Sequence, residues 1–215
     1  MQRAYELVDP RPSAAASPYT YFLPLTSRLE AIMPNDLVQL VFRAIPASEK
    51  WDAERIWVRV RAVGAHVVEG DLDSTPDDMP GVERGMSVRF ERFHIIGVVF
   101  NDPAIEKTIP EDLRRKYWER CLVDRCVVYE GVPVHYLYRE EPDMGEEGDK
   151  YPDSGWRIRG DMRNLSDEEL ERRELSYVAL GAVLNEDDSW LHLIDEPVGS
   201  AFEREFQTGA YVPSK

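Results

Sequence analysis

Positive charge is scarce in this chain: 26 Lys and Arg face 41 Asp and Glu, a net charge of −15 at pH 7. Nucleic-acid backbones and anionic lipid surfaces both select a basic footprint, so neither is expected as a partner. An acidic chain suits solubility, or capture of a basic protein. Long apolar runs are missing too. The greasiest stretch, Ile95 to Phe100, is strand-sized, far below the roughly 20 residues of a membrane span. The opening residues Met1 to Pro10 hold no apolar core of a secretory signal, so the cytoplasm is the expected compartment. Cysteine is limited to Cys121 and Cys126, placed on different faces of a segment that reads as helical. No second Cys or His pair completes a zinc set, and both are expected as reduced structural thiols.

Catalytic signatures are equally thin. The histidines are His66, His94, His135 and His192, and none stands in a His-Glu-x-x-His or paired-Cys context. His94 and His135 fall in apolar strand segments and read as structural. No Gly-x-Ser-x-Gly elbow and no phosphate loop occurs. Carboxylates are so numerous that no pair stands out from a solvated acidic face. No enzyme activity, cofactor or metal is expected.

What is present is an ordinary globular composition, 43% hydrophobic and 31% charged over 215 residues. That length suits one large domain or two small ones. Residues 1–105 carry 11 basic and 15 acidic side chains, net −4; residues 106–215 carry 15 and 26, net −11. The shift falls at the turn Asn101-Asp102-Pro103, which predicts domains at 1–105 and 106–215.

The first half reads mostly as strands. Residues 10–18, rich in Pro and Ala, read as an extended arm. Ser27 and Glu30 have capping-box spacing for a short helix that Pro34 ends. Leu37 to Ile45 is a strand; Ile56, Val58, Val60 and Ala62 alternate with polar neighbours; Val68, Gly70 and Leu72 return after Gly64-Ala65; Met86, Val88 and Phe90 alternate again. Such a set predicts a curled antiparallel sheet or partly open barrel. The second half predicts a mixed helix and antiparallel-sheet unit, so the class is α+β. Thr108 to Glu111 is a capping box opening a helix that carries Leu113, Tyr117, Cys121 and Val128 inward. Gly131 breaks it. Val134 to Arg139 is a strand, a second capping box at Ser166 to Glu169 opens a short helix, and Tyr177 to Leu184 reads as a buried strand before a helical turn over Asp187 to Ile194.

Two segments are more specified than a surface loop requires. In Asp153-Ser154-Gly155-Trp156-Arg157, side chains and glycine set a tight turn just before a large aromatic and a forked cation. Trp156 is then either a core anchor or, with Arg157 and Asp153, part of a partner-binding rim. In Ile194 to Arg204, Pro197 and Gly199 fix a turn and Phe202 staples it. Upstream, Glu140, Glu141, Asp143, Glu146, Glu147 and Asp149 crowd an exposed loop, the best candidate for an acidic partner-facing surface.

"VHYLYREEP" at 134–142, "DSGWR" at 153–157 and "LIDEPVGSAFER" at 193–204 together resemble the bacterial immunity-protein family numbered thirty-three in the polymorphic-toxin series. The likeness runs over roughly residues 125–212. "NDLVQLVF", "ERIWVRV", "GDLDSTP" and "GMSVRF" in the first half are similar to a small β-rich domain of unknown function often found beside such modules, which usually has Asn-Asp-Pro where Asp73 to Pro76 stands. The resemblance implies a non-enzymatic protein that neutralises a cognate, cytoplasm-acting toxin, and a basic toxin fits the charge. It brings no catalytic residues and does not name the toxin. An intracellular ligand- or peptide-binding regulatory module, or a hydrolase with an unrecognised cleft, are the competing classes.

Overall fold

Alternation of apolar and polar residues builds the first half of the molecule. The computed structural model describes residues 5–47, 49–145 and 148–214. Contacts divide the chain into two compact units: Tyr21–Arg114 with the segment before Ser17, and Ser17–Thr20 with the chain from Arg115 onward.

The first unit runs β1 (Tyr5–Leu7), α1 (Arg11–Ala16), α2 (Thr26–Glu30), β2 (Leu37–Ala44), β3 (Glu54–Val63), β4 (Val67–Leu72), β5 (Ser87–Glu91), β6 (Gly97–Val99) and α3 (Pro103–Glu106). The strands form one antiparallel sheet in the order β1-β2-β3-β4-β5, with β6 also on β2, and it curls into a nearly closed barrel. Val38, Leu40, Phe42, Ile56, Val58, Val68, Val88 and Phe90 fill its interior. This is the α+β, barrel-like arrangement that the patterning predicts.

Local details depart from expectation. The register of β3 against β4 shifts between Val60 and Ala62, so the alternation changes phase there. Ala62 is exposed and Val63, not Ala62, packs on the core. Met86 lies just outside β5 and is exposed. The arm at 10–18 is not extended throughout. Asp9 accepts the Arg11 N–H at 3.0 Å, Pro12 sits in the first turn, and α1 forms. Helix α2 starts at Thr26 with Leu25 at its N-cap and no side-chain cap, so Ser27 is inside the helix and makes no box.

The second unit contains β7 (Arg120–Asp124), α4 (Arg125–Glu130), β8 (Val134–Arg139), β9 (Asp153–Gly160), α5 (Asp167–Glu171), β10 (Leu175–Ala179), α6 (Leu180–Glu186), β11 (Ala201–Arg204) and β12 (Tyr211–Pro213). Its sheet order is β10-β7-β9-β8-β11-β12. The β7–β9 pair is parallel and the others antiparallel, so the sheet is mixed. Helices α4 and α6 cover one face: Val127, Leu180, Val183 and Leu184 pack with Val123, Leu137, Trp156 and Ile158.

The helix expected from Thr108 does not form. Residues 110–118 take no regular structure, Leu113 is 85% exposed, and Cys121 lies in β7 rather than on a helix. Asp102, not Thr108, caps the short helix present, accepting the Ala104 N–H at 2.9 Å. Beyond it, Arg114 folds onto Asp112, Arg115 reaches Asp195 at 2.6 Å, and pairing of residues 120–124 between β9 and β10 overrides the local helix signal. The strand expected over Tyr177 to Leu184 stops at Ala179 and α6 follows; there Gly181, lacking Cβ, lets the Tyr19 and Tyr117 carbonyls approach, and its N–H donates to the Tyr117 carbonyl at 2.9 Å. The capping box at Ser166 and Glu169 is present, as is the αL glycine ending α4 at Gly131.

Candidate partner-binding site

Strand β9 begins with the turn-like sequence Asp153-Ser154-Gly155, and each residue has a mechanical reason. Gly155 has φ of +79° and its missing Cβ would run into the Glu140 carbonyl oxygen, so no other residue fits without strain. Ser154 Oγ donates to the Arg120 carbonyl at 2.7 Å and accepts the Trp156 N–H at 3.2 Å, fastening β9 to β7. Trp156 then points into the helix-covered face. Its side chain has no exposed surface, its Nε1 donates to the Ile194 carbonyl at 3.1 Å, and its ring lies 5.9 Å from that of Trp190. Trp156 is placed as a core anchor.

Arg157 points to the opposite face and is also buried, with only 4% of its side chain exposed. Its fork meets Asp153 at 3.0 and 2.9 Å, its Nε donates to Glu140 and Nη2 to Asp143, both at 2.5 Å. Asp153 further accepts the N–H groups of Gly155, Asp143 and Met144 at 3.0, 3.2 and 3.1 Å. Burial pushes the Asp153 carboxyl up, yet the Arg157 fork and these N–H donors outweigh it and hold the group below the usual carboxylate range. Asp153, above all, keeps the guanidinium protonated. One cation thus gathers both ends of the acidic loop.

The loop acids therefore fall into different roles. Glu140 and Asp143 are ligands of Arg157, while Glu141 and Asp149 are exposed. Glu146 and Glu147 lie outside the described residues. Beside the loop, Arg120, Met144, Asp149, Lys150, Tyr151 and Tyr177 border a recess of about 540 Å³. The Tyr177 hydroxyl donates to the Met144 carbonyl and so ties the loop to β10.

A second buried carboxylate, Asp124 at the end of β7, escapes sequence reading. It accepts the Gly160 N–H at 3.0 Å and pairs with Arg173 at 2.8 Å and Arg159 at 2.9 Å, from residues 35 to 49 positions away. His135 is structural: Nδ1 accepts the Met162 N–H at 3.0 Å, and Nε2 faces Glu203 at 3.4 Å. Cys121 and Cys126 are free, and burial raises both thiols, so neither is activated as a nucleophile. Among the described residues no group of His, Cys, Asp and Glu could hold a metal ion, and no helix is long and apolar enough to cross a membrane.

Most of the second unit is similar to an immunity-protein domain. Residues 121–214 match the family described as Immunity protein Imm33 domain, from the first core residue of β7 through β12. No curated protein and no solved structure matches the chain.

Proposed function

We propose that this chain is a non-enzymatic immunity protein that binds a cognate, cytoplasm-acting toxin domain and blocks it. The match of residues 121–214 to an immunity-protein family carries this reading. The net charge of −15 supports a basic toxin as the partner, because opposite net charge accelerates encounter. The exposed acids of the 140–152 loop, anchored from beneath by Arg157, are suited to that steering. Their work is in association rate; residence time depends on close contact.

Two measurements test the reading. Proteins encoded by the genes flanking this one are each expressed with and without the chain, and growth is followed; if none is toxic, or toxicity is not relieved by the chain, the immunity role is refuted. Association of the purified pair is then timed by stopped flow between 0.1 and 1 M salt, where the screening length shrinks from about 10 to about 3 Å. Glu141→Gln with Asp149→Asn is expected to slow association and flatten its salt dependence, leaving dissociation nearly unchanged. Parallel salt curves for wild type and variant refute steering by this loop.

A further inference from the structure

The two helices that pack against the sheet of the second unit, α4 and α6, share one of its faces. Cα partners across a sheet share a face, so the register identifies what the other face presents. One row runs Tyr177, Leu122, Arg157 and Tyr138; the next runs Leu175, Asp124, Arg159, Tyr136, Glu203 and Val212. A sheet face turned to water ordinarily alternates to small polar and charged residues. This one carries half-buried Leu122, Tyr136, Tyr138 and Tyr177, with Leu175 and Val212 exposed at its two edge strands. The rings of Tyr136 and Tyr138 lie 5.7 Å apart and form a continuous aromatic strip along β8.

Charge on this face is layered. The guanidiniums lie low, with side chains 4% exposed at Arg157, 15% at Arg173 and 32% at Arg159. The carboxylates that reach outward are 43% exposed at Glu140, 54% at Glu203 and 70% at Asp143. An approaching molecule meets tyrosine rings bordered by negative charge, while the positive charge beneath is already neutralised by Asp124 and Asp153. Tyrosine faces attract cations, and Tyr is among the residues enriched in interface hot spots. Six strands about 4.8 Å apart span roughly 25 Å, the scale of a protein interface burying about 800 Å² per partner.

We infer that the sheet face opposite α4 and α6, centred on Tyr136 and Tyr138, is the surface that holds the toxin domain, and that its occupant is a basic protein face presenting Arg or Lys side chains to the two rings. The inference rests on the immunity reading above and adds where the contact is made. It also separates two jobs within one site: the loop acids set the rate of encounter, and the tyrosine face sets the lifetime of the complex.

The experiment uses the full chain and the toxic protein that the growth test above identifies, inactivated for purification. Binding is measured by biolayer interferometry for wild type, Tyr136→Ala, Tyr138→Ala and Tyr136→Arg. The arginine variant keeps a long apolar stem on the sheet while opposing a basic partner, so it remains informative if an alanine variant melts early. Circular dichroism and melting temperature verify folding. Loss of affinity by about tenfold or more in a folded variant, mainly through faster dissociation, is the expected result. If wild type binds and protects but every folded variant stays within tenfold, the face is wrong and the immunity reading survives. If wild type neither binds nor protects, both fall.

Discussion

Replacing Arg157 by methionine removes the cation from beneath the acidic loop and keeps most of its apolar stem. Asp153 stays buried with 3% of its side chain exposed, still accepting N–H bonds from Gly155, Asp143 and Met144, but without the fork. Breaking a buried pair from one side costs about 3–5 kcal/mol, and the surviving donors put this case near the lower end, about 3 kcal/mol. A unit of about 100 residues loses about 4–8 °C per kcal/mol, so its transition should fall by roughly 12–24 °C. The carboxyl of Asp153, no longer held down by the guanidinium, should titrate at higher pH than in the wild type. Glu140 and Asp143 lose their shared anchor, so amides of 141–145 should exchange faster. Native-state hydrogen exchange of the β9 amides reads this unit apart from the other. The partner experiment is the double variant Arg157→Met with Asp153→Asn, in which no buried unpaired charge remains, Glu140 and Asp143 being partly or largely exposed; it should recover more than about 1 kcal/mol relative to the sum of the single changes. A loss under about 1 kcal/mol for Arg157→Met, or additivity within about 0.5 kcal/mol, refutes the account of Arg157 as a buried structural cation.

Trp156→Ala should cost about 3–5 kcal/mol through the cavity it leaves, and Trp156→Phe distinctly less, since it removes chiefly the hydrogen bond to Ile194; equal stability of Trp156→Ala and wild type in urea counts against the core anchor. Gly155→Ala should cost more than about 2 kcal/mol because left-handed backbone and the Glu140 carbonyl both oppose a Cβ, whereas Gly199→Ala, at φ of +92° in open space, should cost less; similar losses refute the close-approach argument. The hydrogen bond from the Arg163 side chain holds Asp161 near pKa 2, below its ordinary 3.8. A depressed folded pKa means its contribution is full above about pH 4 and is lost as pH falls toward 2, so Asp161→Asn should flatten stability against pH across that window. Parallel curves for Asp161→Asn and wild type would falsify it.

Strands bordering a barrel interior were legible because period-two alternation survives along most of β2, β3, β4 and β5. Where a bulge changes the phase, at Val60 and Ala62, the pattern misassigns the next residue. Capping boxes fared unevenly for a physical reason. Ser166 and Glu169 close a box on an exposed turn where nothing competes, while the Thr108 signal precedes a segment recruited into a sheet by strands 33 to 59 residues further on. At the site, the chemistry of Asp153 to Arg157 was readable as a tight turn with a forked cation. The side to which Trp156 and Arg157 point was not, because it depends on which strands flank β9. The tyrosine face was invisible for the same reason: Leu122, Tyr136, Tyr138 and Tyr177 come from three strands and share a surface only through their register.

Residues Ser17–Thr20 belong to the second unit although nearly a hundred residues separate them from its remainder. Asn185 on α6 accepts the Tyr19 N–H at 3.0 Å and donates to Thr20 Oγ1 at 2.7 Å, and the Tyr19 hydroxyl donates to Asp188 at 2.7 Å. During synthesis this short piece leaves the ribosome long before α6 exists, and it must wait, unpartnered, until the chain is nearly finished. Its docking closes a loop of some 165 residues, an entropic cost that grows only slowly with length. A gene fragment cut at the start of the family match would therefore encode a domain lacking part of its own wall.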